Sequence, residues 1–143
     1  MGALLVVALA TGCGPAKPTW SGRRPGLWRL TMTSEALVLN GGVATTTQCV
    51  DPTPKGATDL PVNLPPGCFG PLTFSGPPPS WTFNKTCPSP SGETVTISGT
   101  ATGDFKDRYS VQMTLTTSGA TDSARNGVVR QSLQAQWIDK ICH

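Results

Sequence analysis

The stretch that decides the fold of this chain is Tyr109-Ser110-Val111-Gln112-Met113-Thr114-Leu115-Thr116, in which apolar and polar side chains alternate without a break. A period of two predicts a β-strand with one buried face and one solvated face. The same alternation recurs in residues 28–33, 94–98 and 133–137, and helical periodicity is not seen. Strands of this kind are typical of an antiparallel sheet.

Turn-forming residues separate these runs. Strands are predicted near residues 26–38, 43–50, 69–75, 80–83, 93–102, 108–117 and 133–137. Asn40-Gly41-Gly42 is a candidate hairpin turn between the first two strands. Residues 51–67 contain several prolines and little alternation, which predicts a long loop with one short helical turn.

The fold class that follows is all-β. We expect an antiparallel meander of about seven strands, because few segments could be helical. A curled sheet or a small barrel would best protect exposed strand edges, and a two-sheet sandwich is the alternative.

The N-terminus has the pattern of an export signal. Residues 3–10 are apolar, but a membrane-spanning helix needs about 20 such residues. The run fits a signal peptide, and the small residues before Cys13 resemble the lipobox of bacterial lipoproteins. The prediction is a lipoprotein signal at 1–12, Cys13 as the site of lipid attachment (palmitate included), a flexible tether through residue 24, and one β domain at 25–143.

Several readings of this region stay open. No Lys or Arg precedes the apolar run, which suggests that the true start lies upstream of Met1. By resemblance to lipoproteins, Gly14 favours the outer membrane, facing the periplasm. The alternatives are ordinary secretion as a soluble periplasmic protein and a buried N-terminal strand or helix.

Composition excludes one class of partner. The formal net charge is +3 and the cationic residues are scattered. Arg23-Arg24 is the only adjacent basic pair, so no nucleic-acid-binding stripe is present. The expected partners are the bacterial membrane, through the lipid anchor, and either an unknown protein or a small apolar ligand.

The other four cysteines are expected to form two disulfides. If the runs 69–75 and 80–83 fold as a hairpin about the connecting Gly76-Pro77-Pro78-Pro79, positions whose numbers sum to 155 face each other, which places Cys68 opposite Cys87. Cys49 would then pair with Cys142, joining the second strand to the C-terminal end and closing the sheet. A zinc site or a redox thiol pair is disfavoured because no C-x-x-C motif occurs.

No residue pattern predicts an enzyme, a cofactor or a metal. His143 is the only histidine and is the last residue, so a Ser-His-Asp or Cys-His site would rest on a chain end. Asp104 and Asp107 lie on a predicted turn and are expected to form it and to solubilise it. No nucleophile is paired with a base, so catalytic residues are predicted to be absent.

Three tryptophans admit two interpretations. Trp28, Trp81 and Trp137 fall on the apolar phase of predicted strands. They are expected to be core residues, since tryptophan favours half-buried sheet positions. The alternative is that they line a ligand cavity in a curled sheet.

Five motifs in order resemble a known bacterial family. They are Pro25-Gly26-Leu27-Trp28, Thr45-Thr46-Thr47-Gln48-Cys49, Gly67-Cys68, Trp81-Thr82-Phe83 before Cys87, and Trp137 before Cys142. This arrangement, over residues 24–142, is similar to domain of unknown function 3617. The resemblance implies a small exported protein, often with a signal or lipoprotein signal. It implies no activity and no functional residues. Asp139-Lys140 departs from the glycine that family members commonly carry before the last cysteine.

Three functions remain as hypotheses. The first is a non-enzymatic, lipid-anchored β-domain that binds a protein partner or a small apolar ligand. The second is a structural or envelope-maintenance lipoprotein without a small ligand. The third, a hydrolase that uses surface carboxylates, has the least support, because no acid–base pair is visible.

Overall fold

The computed structural model describes residues 21–35, 42–53, 60, 68, 72–89 and 91–143. Alternation of apolar and polar residues produces seven strands in this part of the chain. They are β1 (Gly26–Ser34), β2 (Val43–Val50), β3 (Phe74–Ser75), β4 (Ser80–Pro88), β5 (Thr94–Gly103), β6 (Arg108–Ser118) and β7 (Gly127–Asp139). A 3-10 turn at Ser123–Arg125 lies in the loop before β7. The all-β prediction is confirmed.

The strands form one antiparallel sheet in the order β2-β1-β7-β6-β5-β4-β3. The meander is therefore confirmed, but the barrel and sandwich alternatives are wrong. The sheet stays open because β2 and β3 occupy opposite edges, and β3 has only two residues with which to pair. The hairpin β1–β2 lies beside the last strand, with Leu30 opposite Ala135 and Met32 opposite Leu133.

Strand register separates the side chains into two faces. The apolar face packs into one continuous core with Leu60, Cys68 and Leu72 from the segment between β2 and β3. The strand residues buried on this face are Trp28, Leu30, Trp81, Phe83, Cys87, Val95, Ile97, Ala101, Tyr109, Val111, Met113, Leu133 and Ala135. The opposite face carries the polar members of the same alternation. The sheet is thus buried on one side and solvated on the other.

Gly99 makes room for an aromatic ring in this core. It lies directly opposite Phe83 in the β4–β5 register. A Cβ at Gly99 would collide with the Phe83 ring and with the Gln112 carbonyl oxygen. Phe83 also packs edge-to-face with Phe74, at 5.5 Å between ring centroids. The absence of a side chain at Gly99 therefore lets β4 and β5 pair while the Phe83 ring lies over the glycine.

Both predicted disulfides are present. Cys49 and Cys142 have a Cα–Cα distance of 5.6 Å, and Cys68 and Cys87 one of 5.1 Å. The register used to predict the second bond is wrong, since Phe74 pairs with Phe83 and positions sum to 157. The centre of the turn between β3 and β4 lies one residue later in the chain than predicted. In this turn the Ser80 amide donates to the Pro77 carbonyl over 3.1 Å.

The Cys49–Cys142 bond does not close the sheet as expected. It joins β2 to the residues after β7, and these two strands flank β1 in the sheet order. The bond therefore fastens three neighbouring strands at one end of the sheet. The predicted Asn40-Gly41 turn and the helical turn expected within 51–67 fall largely outside the described residues. Within those residues, no helix has the length and hydropathy needed to span a membrane.

Candidate binding groove on the polar face

The polar face of the sheet is organised in rows that cross the strands. Residues opposite one another in register project from the same face of the sheet. The rows contain Asn84, Ser98, Thr114 and Arg130; Thr82, Thr100, Gln112, Ser132 and Thr33; Ser80, Thr102, Ser110, Gln134 and Thr31; and Arg108, Gln136 and Arg29. Hydroxyl and amide groups fill most positions.

Two adjoining hollows lie along these rows. The larger has a volume of about 910 Å³ and extends over β3, β4, β5, β6, β7 and the end of β1. The smaller, of about 400 Å³, lies where the last two rows cross β1, β7 and β6. We call the two together the polar groove. Side-chain hydroxyl and amide groups from several strands line this groove.

The chemistry of the polar groove is that of neutral hydrogen bonding. Each hydroxyl or carboxamide can both donate and accept. The neighbouring hydroxyls of Ser75 and Thr82 lie 3.3 Å apart, and those of Ser80 and Thr102 lie 3.5 Å apart. Such pairs can rotate their hydrogens toward a ligand without leaving a polar group unsatisfied.

One end of the groove is closed by an ion pair. Glu35 accepts from the Arg130 backbone amide over 3.1 Å, and its carboxylate lies 3.6 Å from the Arg130 guanidinium. The Glu35 amide in turn donates to the Arg130 carbonyl over 3.2 Å. These contacts tie the end of β1 to β7 and neutralise both charges.

The other end carries uncompensated positive charge. Arg29 and Arg108 both lie opposite Gln136, on its two sides. Both side chains are exposed and line the smaller hollow. In the described part of the chain, neither forms a salt bridge.

A buried arginine supports this end of the sheet from the apolar side. Arg23 is only 3% exposed and donates to Gln48 Oε1 over 2.8 Å and to the Tyr109 hydroxyl over 3.2 Å. Burial raises the pKa of Tyr109, and the nearby Arg23 charge opposes that shift in part. The Tyr109 ring lies 5.1 Å from Trp28 and stacks on Phe105 at 5.3 Å.

The residues before β1 are held by the indoles of two tryptophans. Trp28 Nε1 donates to the Arg24 carbonyl over 2.8 Å, and Trp137 Nε1 donates to the Pro25 carbonyl over 3.1 Å. The Arg24 guanidinium lies 3.6 Å from the centroid of the Trp137 ring. Arg23 and Arg24, at the end of the predicted tether, contact strands of the β domain.

Gly26 is required at this junction. Its φ is +128°, and a Cβ would collide with the Asp139 carbonyl and the Trp137 indole. Only glycine adopts this conformation and tolerates this approach. The opening Pro25-Gly26-Leu27-Trp28 motif therefore fixes the start of β1 against the end of β7.

Asp104 forms the turn between β5 and β6. Its Oδ1 accepts from the backbone amides of Lys106, Asp107 and Arg108 at 2.9, 2.9 and 3.0 Å. These three hydrogen bonds hold the pKa of Asp104 below its usual value. The turn orients the start of β6, which includes Arg108.

The tryptophans proposed as ligand-lining residues lie on the apolar face. Trp28 is fully buried and Trp81 is 5% exposed, whereas Trp137 is partly buried against the core. They lie on β1, β4 and β7, and none of them lines the polar groove. Their role in ligand binding stays a prediction. Cys13 lies outside the described residues.

The family match covers most of the chain. The model of the family described as protein of unknown function (DUF3617) matches residues 23–142. The chain belongs to the DUF3617 family. No curated protein and no solved structure matches it significantly. The matched region begins at Arg23, whose buried side chain is hydrogen-bonded to β2 and β6.

The DUF3617 match defines the body of the domain, and the polar groove lies wholly within it. Sequence reasoning missed the groove because it followed only the apolar members of each alternating strand. The polar members carried the signal, since they are almost all Ser, Thr, Asn, Gln or Arg. Within the described ranges, no three His, Cys, Asp or Glu side chains are grouped so that they could hold a metal ion.

Proposed function

We propose that this DUF3617 protein is a lipid-anchored, non-enzymatic binding domain of the bacterial cell envelope, whose polar groove holds a hydroxyl-rich saccharide. The observation that supports this most is the larger hollow of the groove, which has a volume of about 910 Å³ and is lined from six strands mainly by hydroxyl and amide groups. Saccharide hydroxyls both donate and accept, and so do the groups that line the groove.

A hydrophilic ligand fits better than the small apolar ligand expected from the tryptophans. Apolar ligands need a pocket lined mostly by hydrophobic side chains. Phe83 and Met113 also border the groove, but both belong to the apolar face and are at most 5% exposed. An apolar molecule bound in this groove would displace water from the hydroxyl groups of the groove. Those hydroxyl groups would then lack hydrogen-bond partners, which costs free energy.

A protein partner is less well supported at this site. Extended peptides pair with sheet edges through backbone hydrogen bonds, whereas the middle of a sheet offers only side chains. The large exposed apolar residues of the described part are few and spread over β2, β7 and the C-terminal end. They do not form the wide apolar patch that is typical of a stable protein interface.

The non-enzymatic part of the proposal is supported by the acid–base content of the groove. Glu35 is the carboxylate among its lining residues, and its charge is already paired with Arg130. Glycoside hydrolysis in most families needs two carboxyl groups that flank the scissile bond. The groove is suited to holding a saccharide without cleaving it.

Envelope location is supported by the two disulfides, because such bonds persist in oxidising compartments. Anchoring is supported by the position of Cys13 after the apolar run. In the native host, Cys13→Ser is expected to move the protein from the membrane fraction to the soluble fraction. Retention of the serine variant in the membrane fraction would contradict a lipid anchor.

The groove is tested by photo-crosslinking in the native host. A photoreactive residue at Thr100 stands in the groove, whereas one at Thr45 on β2 stands on the same face outside it and is the matched control. We expect a saccharide-containing adduct at position 100 and none at position 45. Equal adducts at both positions, or none at position 100, would refute the groove. A protein adduct at position 100 alone would refute the saccharide.

A further inference from the structure

We infer that the Arg29–Arg108 end of the polar groove is a subsite for an anionic substituent, so that the saccharide is an acidic one whose carboxylate, sulfate or phosphate group binds between the two guanidinium groups. This inference rests on the proposed function and names the class of its ligand. It adds a recognition element that hydroxyl and amide side chains cannot supply.

The sheet register places the two arginines around one position. Arg29 on β1 and Arg108 on β6 are both directly opposite Gln136 on β7, which lies between these strands. Directly opposed Cβ atoms are about 5 Å apart, so the two arginine Cβ atoms are separated by about 10 Å. Side chains of this length, projecting from one face, can converge on a single group above Gln136.

Among the residues that the structure describes, no carboxylate forms a salt bridge with Arg29 or Arg108. The acids at this end of the sheet make other contacts. Asp104 accepts from three backbone amides, that of Arg108 included, while Asp107 lies 3.4 Å from Arg24 and Asp139 lies 3.8 Å from His143. The rows of the groove contain no carboxylate, and Glu35 at its far end is paired with Arg130. Arg29 and Arg108 are separated by the single strand β7, so their positive charges repel each other. An anion bound between them would offset this repulsion.

The donors present match an oxyanion. Guanidinium groups present planar sets of N–H donors that bind carboxylate, sulfate or phosphate in bidentate geometry. Gln136 and Gln134 add amide donors at the centre of the same hollow, and Ser110 adds a hydroxyl. The smaller hollow adjoins the larger one along the strands, so a single saccharide chain could occupy both.

An acidic saccharide fits these observations better than a phospholipid headgroup. A headgroup requires only a cationic patch. Here the two arginines lie next to rows of neutral hydroxyl and amide groups. Only a ligand that combines an anion with many hydroxyls uses both parts of the groove. Anionic membranes are therefore the competing source that the experiment must exclude.

The experiment compares two variants with the same change of charge. Arg29→Gln/Arg108→Gln removes both cations from the subsite, and Lys106→Gln/Lys140→Gln removes two exposed cations from outside the groove. Binding of polygalacturonate to the purified protein is measured by calorimetry, with neutral dextran as the uncharged comparison. All four side chains are exposed, so both variants are expected to fold, which circular dichroism will verify.

We expect polygalacturonate affinity to fall at least tenfold in the arginine variant and less than twofold in the lysine variant. Equal losses in both variants, or no binding by the unaltered protein, would overturn the subsite. Binding to phosphatidylglycerol vesicles that only the arginine variant loses would assign the cations to a membrane surface and overturn the acidic saccharide.

Failure of the subsite can be told apart from failure of the groove. A saccharide adduct at Thr100 that persists unchanged in Arg29→Gln/Arg108→Gln would retain the groove and refute the anionic substituent. Loss of the adduct in that variant alone supports both.

Discussion

Removal of the Cys49–Cys142 bond should destabilise the domain mainly through its unfolded state. The bond spans a sequence separation of 93 residues. In the chain-entropy description, a loop of that size contributes about 4.7 kcal/mol, against about 3.2 kcal/mol for the 19-residue separation of Cys68–Cys87. Cys49 and Cys142 are exposed, so their replacement by alanine leaves the core intact.

The assay is urea unfolding followed by tryptophan fluorescence, which the buried Trp28 and Trp81 make sensitive to loss of the core. Cys49→Ala/Cys142→Ala should lose about 4–5 kcal/mol of unfolding free energy. Its m-value should rise, because the unfolded chain without the bond exposes more surface. If the variant is unfolded in buffer, an excluded osmolyte such as sucrose should restore a measurable transition.

Cys68→Ala/Cys87→Ala provides the comparison. These cysteines are buried in the core, so their removal adds lost packing to a smaller entropic effect. We expect a smaller rise in m for this variant, although its total loss of stability is similar. A loss below about 1 kcal/mol for Cys49→Ala/Cys142→Ala, or a large loss with unchanged m, would refute the unfolded-state explanation.

Three further predictions concern single residues. Gly99→Ala should lower the free energy of unfolding in urea by about 1–3 kcal/mol, because the added Cβ meets a ring and a backbone carbonyl. Gly127→Ala is the control, since its Cβ meets nothing within 4 Å, and it should change stability by under about 0.5 kcal/mol. Equal effects of the two substitutions would contradict the close approach at Gly99. Tyr109, the only tyrosine, should ionise at a pH above that of an unfolded chain in an absorbance titration, because burial raises its pKa. The stability it contributes is therefore full below pH 10 and is lost as pH rises further, and Tyr109→Phe should remove this slope. Asp104→Ala should lower the urea midpoint more than Asp107→Ala at neutral pH, and since its pKa is lowered, the difference should shrink as pH falls below about 4; a constant difference would argue against the three amide contacts.

Alternation alone predicted which side chains enter the core. Residues such as Val111 and Met113 are buried because every second residue of a strand points to one face. The two cysteine pairs were also predicted correctly, although the hairpin register used for Cys68–Cys87 is wrong. The number of strands and the identity of the strand residues in the core followed from the sequence directly. These features depend on local patterns, which a single sequence contains.

The position of β1 beside β7 could not be predicted in this way. Alternation states which face is apolar but not which distant strand is the neighbour, and the residues in register, such as Leu30 and Ala135, lie far apart in the sequence. The groove depends on that neighbour, because β7 separates Arg29 from Arg108.

The buried position of Arg23 could not be predicted for a different reason. Its neighbourhood is rich in Gly, Pro and Lys, which is typical of a linker. An arginine becomes buried when its donors find acceptors, and those acceptors are Gln48 and the Tyr109 hydroxyl, on other strands. Composition of the local segment contains no information about them.

The most direct test of the binding surface is a titration of methyl-labelled protein with polygalacturonate, followed by NMR. Thr100 and Thr114 line the groove, Thr45 lies on the same face outside it, and Met32 packs against the core on the opposite face. We predict that the methyl signals of Thr100 and Thr114 shift with the added ligand while those of Thr45 and Met32 remain in place. Shifts confined to Met32 or Thr45 would contradict a ligand site on the polar face.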